Sequence, residues 1–211
     1  MTLEPYTRAQ LDLARQLGAA TLHESTGRIG ALPSAIKPVA SAMKLSGPAF
    51  TVHCPPFSNL QIHQSLYRAQ PGDILVVHVS GGTEAGYWGD ILNEAAIARG
   101  LGGLVIDGGV RDTQGLAQAP FPVFSNGVCI SGTGKDHHAI AWLQKPVRMG
   151  KIIINPGDLV VGDCDGVVSI PQRLVAQGDV PKNSVFSELA FLNIFAERPI
   201  NFLTRLLDRF K

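Results

Sequence analysis

Asp90 is followed by twenty residues and then by the pair Arg111-Asp112. A carboxylate beside an always-charged guanidinium has a specific use: the Asp can bind a hard cation while the Arg faces an oxyanion forming on that cation. Gly89-Asp90 also reads as a helix start, where free backbone N–H groups of the first turn, around Ile91 and Leu92, can hold a small carboxylate. Plainer roles stay open for each residue taken alone. Asp90 and Asp112 would serve as N-caps, Arg111 as a surface partner and the nearby glycines as turn formers.

Other familiar signals fail on a single position. Gly81 and Gly86 have the spacing of a Walker A loop, but Tyr87 stands where the phosphate-binding Lys is needed. Gly132-Thr133-Gly134 begins a dinucleotide fingerprint that His137 ends. Asp163-Cys164-Asp165-Gly166 has the start of a calcium loop but Leu174 at its twelfth position, so it reads as a turn. No pair among the six histidines has the i, i+4 spacing of a helical zinc site, and each is expected to be structural or solvent-facing, with His137 and His138 at the surface beside Lys135. Cys54, Cys129 and Cys164 are an odd number at wide spacing, which supports neither a disulfide framework nor a zinc ribbon.

The elements that must position Asp90, Arg111 and Asp112 follow from periodicity. Leu11, Ala14, Leu17 and Gly18 recur at helical spacing and predict a helix from Thr7 to about Ala20. Residues 25–48 are rich in Ser, Gly and Pro and read as irregular, Gly47 to His53 as a strand, and Ser58 as the cap of a helix reaching about Ala69. Pro71-Gly72-Asp73 turns the chain into Ile74 to Val79, a run so continuously apolar that both its faces must be buried. Pro156-Gly157-Asp158 precedes a similar run and reads as a second strand-entry turn of the same kind. A glycine loop over Ser80 to Trp88 leads to a helix from Gly89-Asp90 to Arg99, and Leu104 to Ile106 is a strand whose carboxyl end releases the loop Asp107 to Asp112. Phe121 to Ser125, Ile152 to Ile154 and Leu159 to Val161 are short strands, and Asp165-Gly166 turns into Val167 to Ile170. Strands alternating with helices, then a run of strands, give an α/β fold with a mixed sheet. In such sheets ligands collect outside the carboxyl ends of the strands, which is where Gly81 to Asp112 falls.

The 211 residues suit one domain; 45% are hydrophobic and 17% charged, against roughly 25% charged in an average soluble domain, so disorder is excluded. A net charge of +1 with no Lys/Arg run gives no footprint for nucleic acid. Glu4, Arg8, Asp12 and Arg15 interrupt the first thirty residues, which therefore do not form a signal-peptide core, and no apolar run approaches the roughly 18 residues of a membrane span. A soluble protein of the reducing cytoplasm is expected.

With these residues in place, the sequence resembles the family that includes the regulator of ribonuclease activity A and the class II 4-hydroxy-4-methyl-2-oxoglutarate/4-carboxy-4-hydroxy-2-oxoadipate aldolases. The aldolase branch is marked by Asp-x20-Arg-Asp, met here by Asp90 and Arg111-Asp112. Gly82 to Asp90, Gly103 to Asp112, His23 to Arg28, Gly47 to Val52 and Pro156 to Val168 also look like the family, over about residues 7–171. The resemblance implies an α/β, three-layer β/β/α sandwich of swivelling-domain type, assembled as a homotrimer or hexamer with sites between subunits. It implies that Asp112 ligates Mg²⁺ or Mn²⁺, that Arg111 binds an enolate oxygen, and that Asp90 orients a metal-bound water. Backbone N–H groups of Gly89, Asp90, Ile91 and Leu92 would hold the pyruvyl carboxylate. The implied reaction cleaves a 4-hydroxy-2-oxo acid to pyruvate and an oxo acid, with oxaloacetate decarboxylation as a side activity. The other implied activity is regulatory, inhibition of ribonuclease E by docking; an intact Asp90/Arg111/Asp112 set favours catalysis, since docking needs no metal ligand. Two departures are Cys164, where many relatives carry an acidic residue, and the tail from about Gln172.

Residues 1–181 are accordingly read as a single α/β catalytic domain and 182–211 as a C-terminal helical segment. Five of the nine Phe residues fall in the last 26 positions, and Leu203, Leu206, Leu207 and Phe210 form a stripe at helical spacing, separated by Pro199 from a helix over about Ser184 to Glu197. Either these helices pack on their own core or they form a subunit contact that brings Glu188 or Glu197 to a neighbouring site.

Overall fold

A computed structural model describes residues 6–177. The proposed tail helices, Glu188 and Glu197 lie outside the described residues. In chain order the elements are α1 (Arg8–Ser25), β1 (Lys37–Pro38), β2 (Leu45–His53), α2 (Leu60–Leu66), β3 (Ile74–His78), β4 (Gly86–Trp88), α3 (Asp90–Ala98), β5 (Gly103–Val110), α4 (Thr113–Gln118), β6 (Val123–Val128), β7 (Trp142–Leu143), β8 (Val147–Met149), β9 (Ile152–Ile154), β10 (Leu159–Asp163), β11 (Gly166–Ile170) and α5 (Gln172–Gln177).

A mixed sheet runs β1-β6-β5-β3-β2-β10-β11, with β4 beside β5 and β7 beside β2. Its centre, β6-β5-β3-β2, is parallel, while β10 and β11 continue it antiparallel. The ends nearly meet: Leu32 N donates to Val167 O at 2.9 Å, Ser169 N to Gly30 O at 2.9 Å, and Lys37 Nζ to Asp165 O at 2.5 Å. Side-chain alternation on the central strands splits the core in two. Phe50, Val52, Leu75, Val77, Leu104 and Ile106 face α2, α3 and α4, whereas Ala49, Ile74, Val76, Val105 and Phe124 face inward onto Val147, Met149 and Ile154 of the β8–β9 hairpin. Sheet, hairpin and helices make the expected three layers. A third apolar group joins Ala14, Ala19 and Leu22 of α1 to Leu159, Val161, Val168 and Ile170 on β10 and β11.

In the run expected to be buried on both faces, Ile74 to Val77 and Val79 have no exposed surface while His78 is half-buried, and Leu104 to Ile106 on β5 are wholly buried too. The two Pro-Gly-Asp turns share one device, an Asp carboxylate accepting the N–H three residues earlier, Asp73 from Gln70 and Asp158 from Asn155, both at 2.8 Å. Several boundaries differ from the sequence reading. Helix α2 starts at Leu60 after Asn59, and Ser58 does not cap it; the Ser58 hydroxyl instead accepts from Asp136 N at 3.0 Å. The glycine loop contains β4, whose Tyr87 and Trp88 are wholly buried. Strand β5 continues through Asp107-Gly108-Gly109 to Val110, so only Arg111 and Asp112 leave its end. The first helix runs on to Ser25, broken at Gly18. Among the described residues no helix is long and apolar enough to cross a membrane.

Candidate active site

The site forms where β4 and β5 end side by side. Helix α3 begins one residue after β4, with Gly89 as its N-cap, and α4 begins directly after Asp112. Arg111 N donates to Trp88 O at 2.9 Å, which holds the two strand ends together. Trp88 is fixed in turn by its Nε1, which donates to the buried Asn93 Oδ1 at 3.1 Å.

Asp112 adopts a left-handed conformation (φ 58°, ψ 35°). That turn sends its carboxylate back toward α3, where Oδ2 accepts the Asp90 N–H at 3.2 Å. The left-handed region is unfavourable for most residues, but Asp tolerates it. The plain alternative for Asp112 is thereby answered: it occupies the N-cap position of α4, yet its side chain makes no cap hydrogen bond there. Arg111 Nε lies 3.7 Å from the same Asp112 Oδ2, and both side chains are a little over 40% exposed. At 3.7 Å the pair attracts without a hydrogen bond, leaving the carboxylate oxygens open to a further ligand.

Two glycines make room for this arrangement. A Cβ on Gly89 would lie 2.3 Å from Asp112 Oδ2 and 3.1 Å from Arg111 Cγ, and one on Gly115 would lie 2.5 Å from Asp90 Oδ1. Asp90 is therefore not the cap of α3; its carboxylate extends across the first turn of α4.

A cleft of about 230 Å³ opens on this corner, lined by Gly89, Ile91, Leu92, Arg111 and Asp112 together with Asn59, His63, Gly132, Thr133 and Lys135. A wider depression beside it is lined by Asp90, Arg111, Asp112, Gln114 and Gln118, with Val128 and Ile130 at its rim. All six residues expected at the site thus line one or other of these two cavities, Gly89, Ile91 and Leu92 the cleft, Asp90 the depression, and Arg111 and Asp112 both. Asn59, His63, Thr133 and Lys135 were not anticipated. His63, expected to be structural or solvent-facing, lines the cleft half-buried, with its imidazole pKa lowered by burial and then by the charge of Lys135.

Other polar clusters have structural uses. His53 and His78 stand in register on β2 and β3, and Asp107 on β5 follows Ile106, the partner of Val77. His78 Nδ1 meets Asp107 Oδ2 at 2.5 Å, Asp107 Oδ1 accepts from Val79 N at 2.8 Å, and Ser80 Oγ lies 2.7 Å from His53 Nε2. These bonds tie the strand ends together, the role expected of histidines. Asp163, Cys164 and Asp165 crowd the β10–β11 turn, but Asp163 already accepts from Ala19 N at 2.8 Å and Asp165 N at 3.0 Å, as the turn reading required. The three cysteines are free.

Comparison with known proteins agrees with this architecture. Residues 13–169 match the model of the RraA-like family, described as Aldolase/RraA. A curated protein of Halalkalibacterium halodurans, named "Putative 4-hydroxy-4-methyl-2-oxoglutarate aldolase", is 36% identical over 141 residues, covering 67% of this chain and 66% of that protein. The chain thus spans about two thirds of that relative's length. Among solved structures, an uncharacterized protein from Pseudomonas syringae superposes with a TM-score of 0.72 at 30% identity, over 84% of this chain and 83% of the other. Streptomyces coelicolor RraAS2, described as an unusual member of the RNase ES inhibitor RraA protein family, gives a TM-score of 0.69 at 27% identity over 83% and 90%. With the fold, the strand-end corner and a family match along residues 13–169 in agreement, this chain belongs to the RraA-like (Aldolase/RraA) family.

Proposed function

We propose that the protein is a divalent-metal-dependent lyase, a class II aldolase that cleaves a 4-hydroxy-2-oxo acid such as 4-hydroxy-4-methyl-2-oxoglutarate or 4-carboxy-4-hydroxy-2-oxoadipate to pyruvate and a second oxo acid. The observation that carries this reading is the Asp112 carboxylate, turned by a left-handed residue onto the start of α3 and left with open coordination positions beside Arg111. A single half-exposed carboxylate fits Mg²⁺ or Mn²⁺, hard cations that keep several waters and take few protein ligands. When bound, the cation supplies Lewis acidity toward the substrate's 2-oxo group.

The remaining roles fall to the chain itself. Backbone N–H groups in the first turn of α3, those of Ile91 and Leu92, receive the carboxylate next to the 2-oxo group, where the helix dipole favours an anion, the Asp90 N–H being held by Asp112. As the C3–C4 bond breaks, its electron pair passes into the pyruvate enolate and the Arg111 guanidinium stabilises the charge growing on the enolate oxygen. The 4-hydroxyl gives up its proton and becomes the oxo group of the second product. Asp90, its carboxylate over Gly115 at the mouth of the recess, holds the water that relays protons. Oxaloacetate decarboxylation passes through the same enolate and is the expected side activity.

Ile91, Val128 and Ile130 are each more than 65% exposed around the recess, an apolar rim suited to a second copy of this chain in a homotrimer or hexamer. The deciding assay supplies Mg²⁺ or Mn²⁺ and couples pyruvate release to lactate dehydrogenase. Absence of pyruvate from both hydroxy-oxo acids and from oxaloacetate would remove the enzymatic reading. The likeness to Streptomyces RraAS2 favours a second reading, docking on and inhibiting ribonuclease E; inhibition of that nuclease without pyruvate release would establish it.

A further inference from the structure

The cleft that Arg111 lines carries a second cation, Lys135, whose ammonium is fixed by a hydrogen bond. Lys135 Nζ donates to Asn59 Oδ1 at 2.5 Å. Asn59 is only 6% exposed, and its Nδ2 donates to Tyr87 O at 2.9 Å, so the amide must present its oxygen to the lysine. The loop bearing Lys135 is pinned to the segment bearing Asn59 on both sides: Gly134 N donates to Phe57 O at 2.8 Å, Asn59 N to Gly134 O at 3.3 Å, and Asp136 N to Ser58 Oγ at 3.0 Å. Phe57 is held by the Tyr87 hydroxyl, which accepts its N–H at 2.7 Å and donates to Gly82 O at 2.7 Å.

Among the described residues no carboxylate comes within ion-pair distance of Lys135. A neutral amide oxygen orients the ammonium but leaves its charge unbalanced. His63 beside it does not supply a second cation, because burial and Lys135 itself disfavour the protonated ring. The cleft therefore has two cationic side chains on different segments, Arg111 beside Asp112 and Lys135 held by Asn59.

We propose that Asn59 is a positioning residue that holds Lys135 as a specificity-determining cation, selecting 2-oxo acids with a second carboxylate on the fragment remote from the 2-oxo group. This rests on the aldolase reading above. The α3 N–H groups and Arg111 account for the 2-oxo acid end, and Lys135 is left for a carboxylate beyond the bond that breaks. That carboxylate leaves on the second oxo acid and takes no part in the electron flow, so Lys135 acts on binding and on choice of substrate.

The test is calorimetric binding to the full chain, with Mg²⁺ present, of two unreactive probes of equal carbon number: 2-oxoglutarate, which has the second carboxylate, and 2-oxopentanoate, which lacks it. A charge-assisted hydrogen bond predicts a preference for 2-oxoglutarate of about 10- to 100-fold. Lys135→Met should bring the ratio of affinities close to one, Lys135→Arg should restore part of it, and Asn59→Asp should depress it by supplying Lys135 with a counter-charge. If Asn59 acts through Lys135, Asn59→Ala lowers the ratio in the wild-type background but not further in Lys135→Met. Equal affinity of the unaltered protein for the two probes, or a preference that survives Lys135→Met, overturns the proposal. Failure of the aldolase reading shows separately, as absence of pyruvate release, and leaves the binding ratio to decide on Asn59 and Lys135.

Discussion

The Asp90 N–H donates to Asp112 Oδ2 across 3.2 Å, joining the first turn of α3 to the left-handed residue that follows β5. One backbone group and one carboxylate thus bring the two halves of the Asp-x20-Arg-Asp spacing together. Asn tolerates the left-handed region as Asp does, and Asp112→Asn keeps an oxygen for the Asp90 N–H while removing the charge. The expected result is loss of Mg²⁺ binding and of metal-dependent pyruvate release with an almost unchanged Tm. Undiminished Mg²⁺ affinity in calorimetry would place the cation elsewhere.

Arg111→Ala separates transition-state from ground-state roles. If the guanidinium stabilises the enolate, kcat falls by roughly 10²- to 10³-fold, the scale of losing one oxyanion donor. Lys is a poor replacement, because the flat fork that spans Asp112 and the cleft is lost. A rise in KM with kcat intact would assign Arg111 to ground-state binding only.

Gly115→Ala should uncouple stability from activity. Gly115 lies inside α4, where Ala is favoured by about 0.5–1 kcal/mol, so Tm should hold or rise. The new Cβ would nevertheless sit 2.5 Å from Asp90 Oδ1, and this flexible carboxylate end would move away. Pyruvate release should drop by at least about tenfold, the lower part of the range for losing a positioned acid–base group. Gly89→Ala is the harsher companion. Its extended backbone (φ −160°) accepts any residue, so its defect would come from the 2.3 Å encounter with Asp112 Oδ2 rather than from strain. Full activity in Gly115→Ala would show that Asp90 has no positional requirement.

These glycines also show which parts of the site could be read from sequence. Asp90 and Arg111-Asp112 were legible because their spacing is a property of one continuous βα stretch. In sequence Gly108 and Gly109 read as part of a loop, since glycine ordinarily weakens a strand. Here they lie in β5 where the stretch from Val79 to Tyr87 runs too close for side chains: a Cβ would meet Tyr87 and Val79 at 3.0 Å from Gly108, and Ala85 O at 2.7 Å from Gly109. Lys135, Asn59 and His63 were hidden for another reason. They meet through a bridge between residues 57–59 and 134–136, and nothing local in either segment records the other. Gly18 falls at helical spacing on an apolar face, yet its φ of 79° breaks that helix.

Stability should weaken in mild acid through two histidines. His53 and His63 have pKa values below the ordinary 6.5, each chiefly because of burial, with His78 adding to the effect on His53 and Lys135 to that on His63. The unfolded chain takes up these protons near pH 6.5 while the folded chain resists until lower pH. Their contribution is therefore fully present above 6.5 and is lost as pH falls from 6.5 through the folded values. Asp73 and Asp158, raised by burial above 3.8, act oppositely: their contribution is complete below 3.8 and declines as pH rises through the folded values. Comparing variants at each pH isolates the histidines. His53→Gln and His63→Gln should each lose less Tm between pH 7.5 and 5.5 than the unaltered protein, and parallel losses would refute this origin.

The break in α1 yields the last prediction. At Gly18 the helical hydrogen-bond ladder stops, and the N–H of Ala19, first of the second helical stretch, is satisfied from outside by the buried Asp163 on β10 at 2.8 Å. The other Asp163 oxygen accepts from Asp165 N at 3.0 Å, so one side chain serves as a long-range N-cap and as the brace of the β10–β11 turn. Asp163→Ala leaves both N–H groups without these partners and should cost about 1–2 kcal/mol, the usual loss for a cap, or roughly 2–8 °C in Tm for a chain of this size. Asp163→Asn, which keeps one acceptor oxygen, should lose less. Gly18→Ala should also destabilise, because it forces an L side chain to φ 79° and puts a Cβ 2.7 Å from Asp163 Oδ2. The second defect needs Asp163 to be present. The two losses should therefore fall short of additivity in the double variant, and full additivity would mean that backbone strain alone limits Gly18.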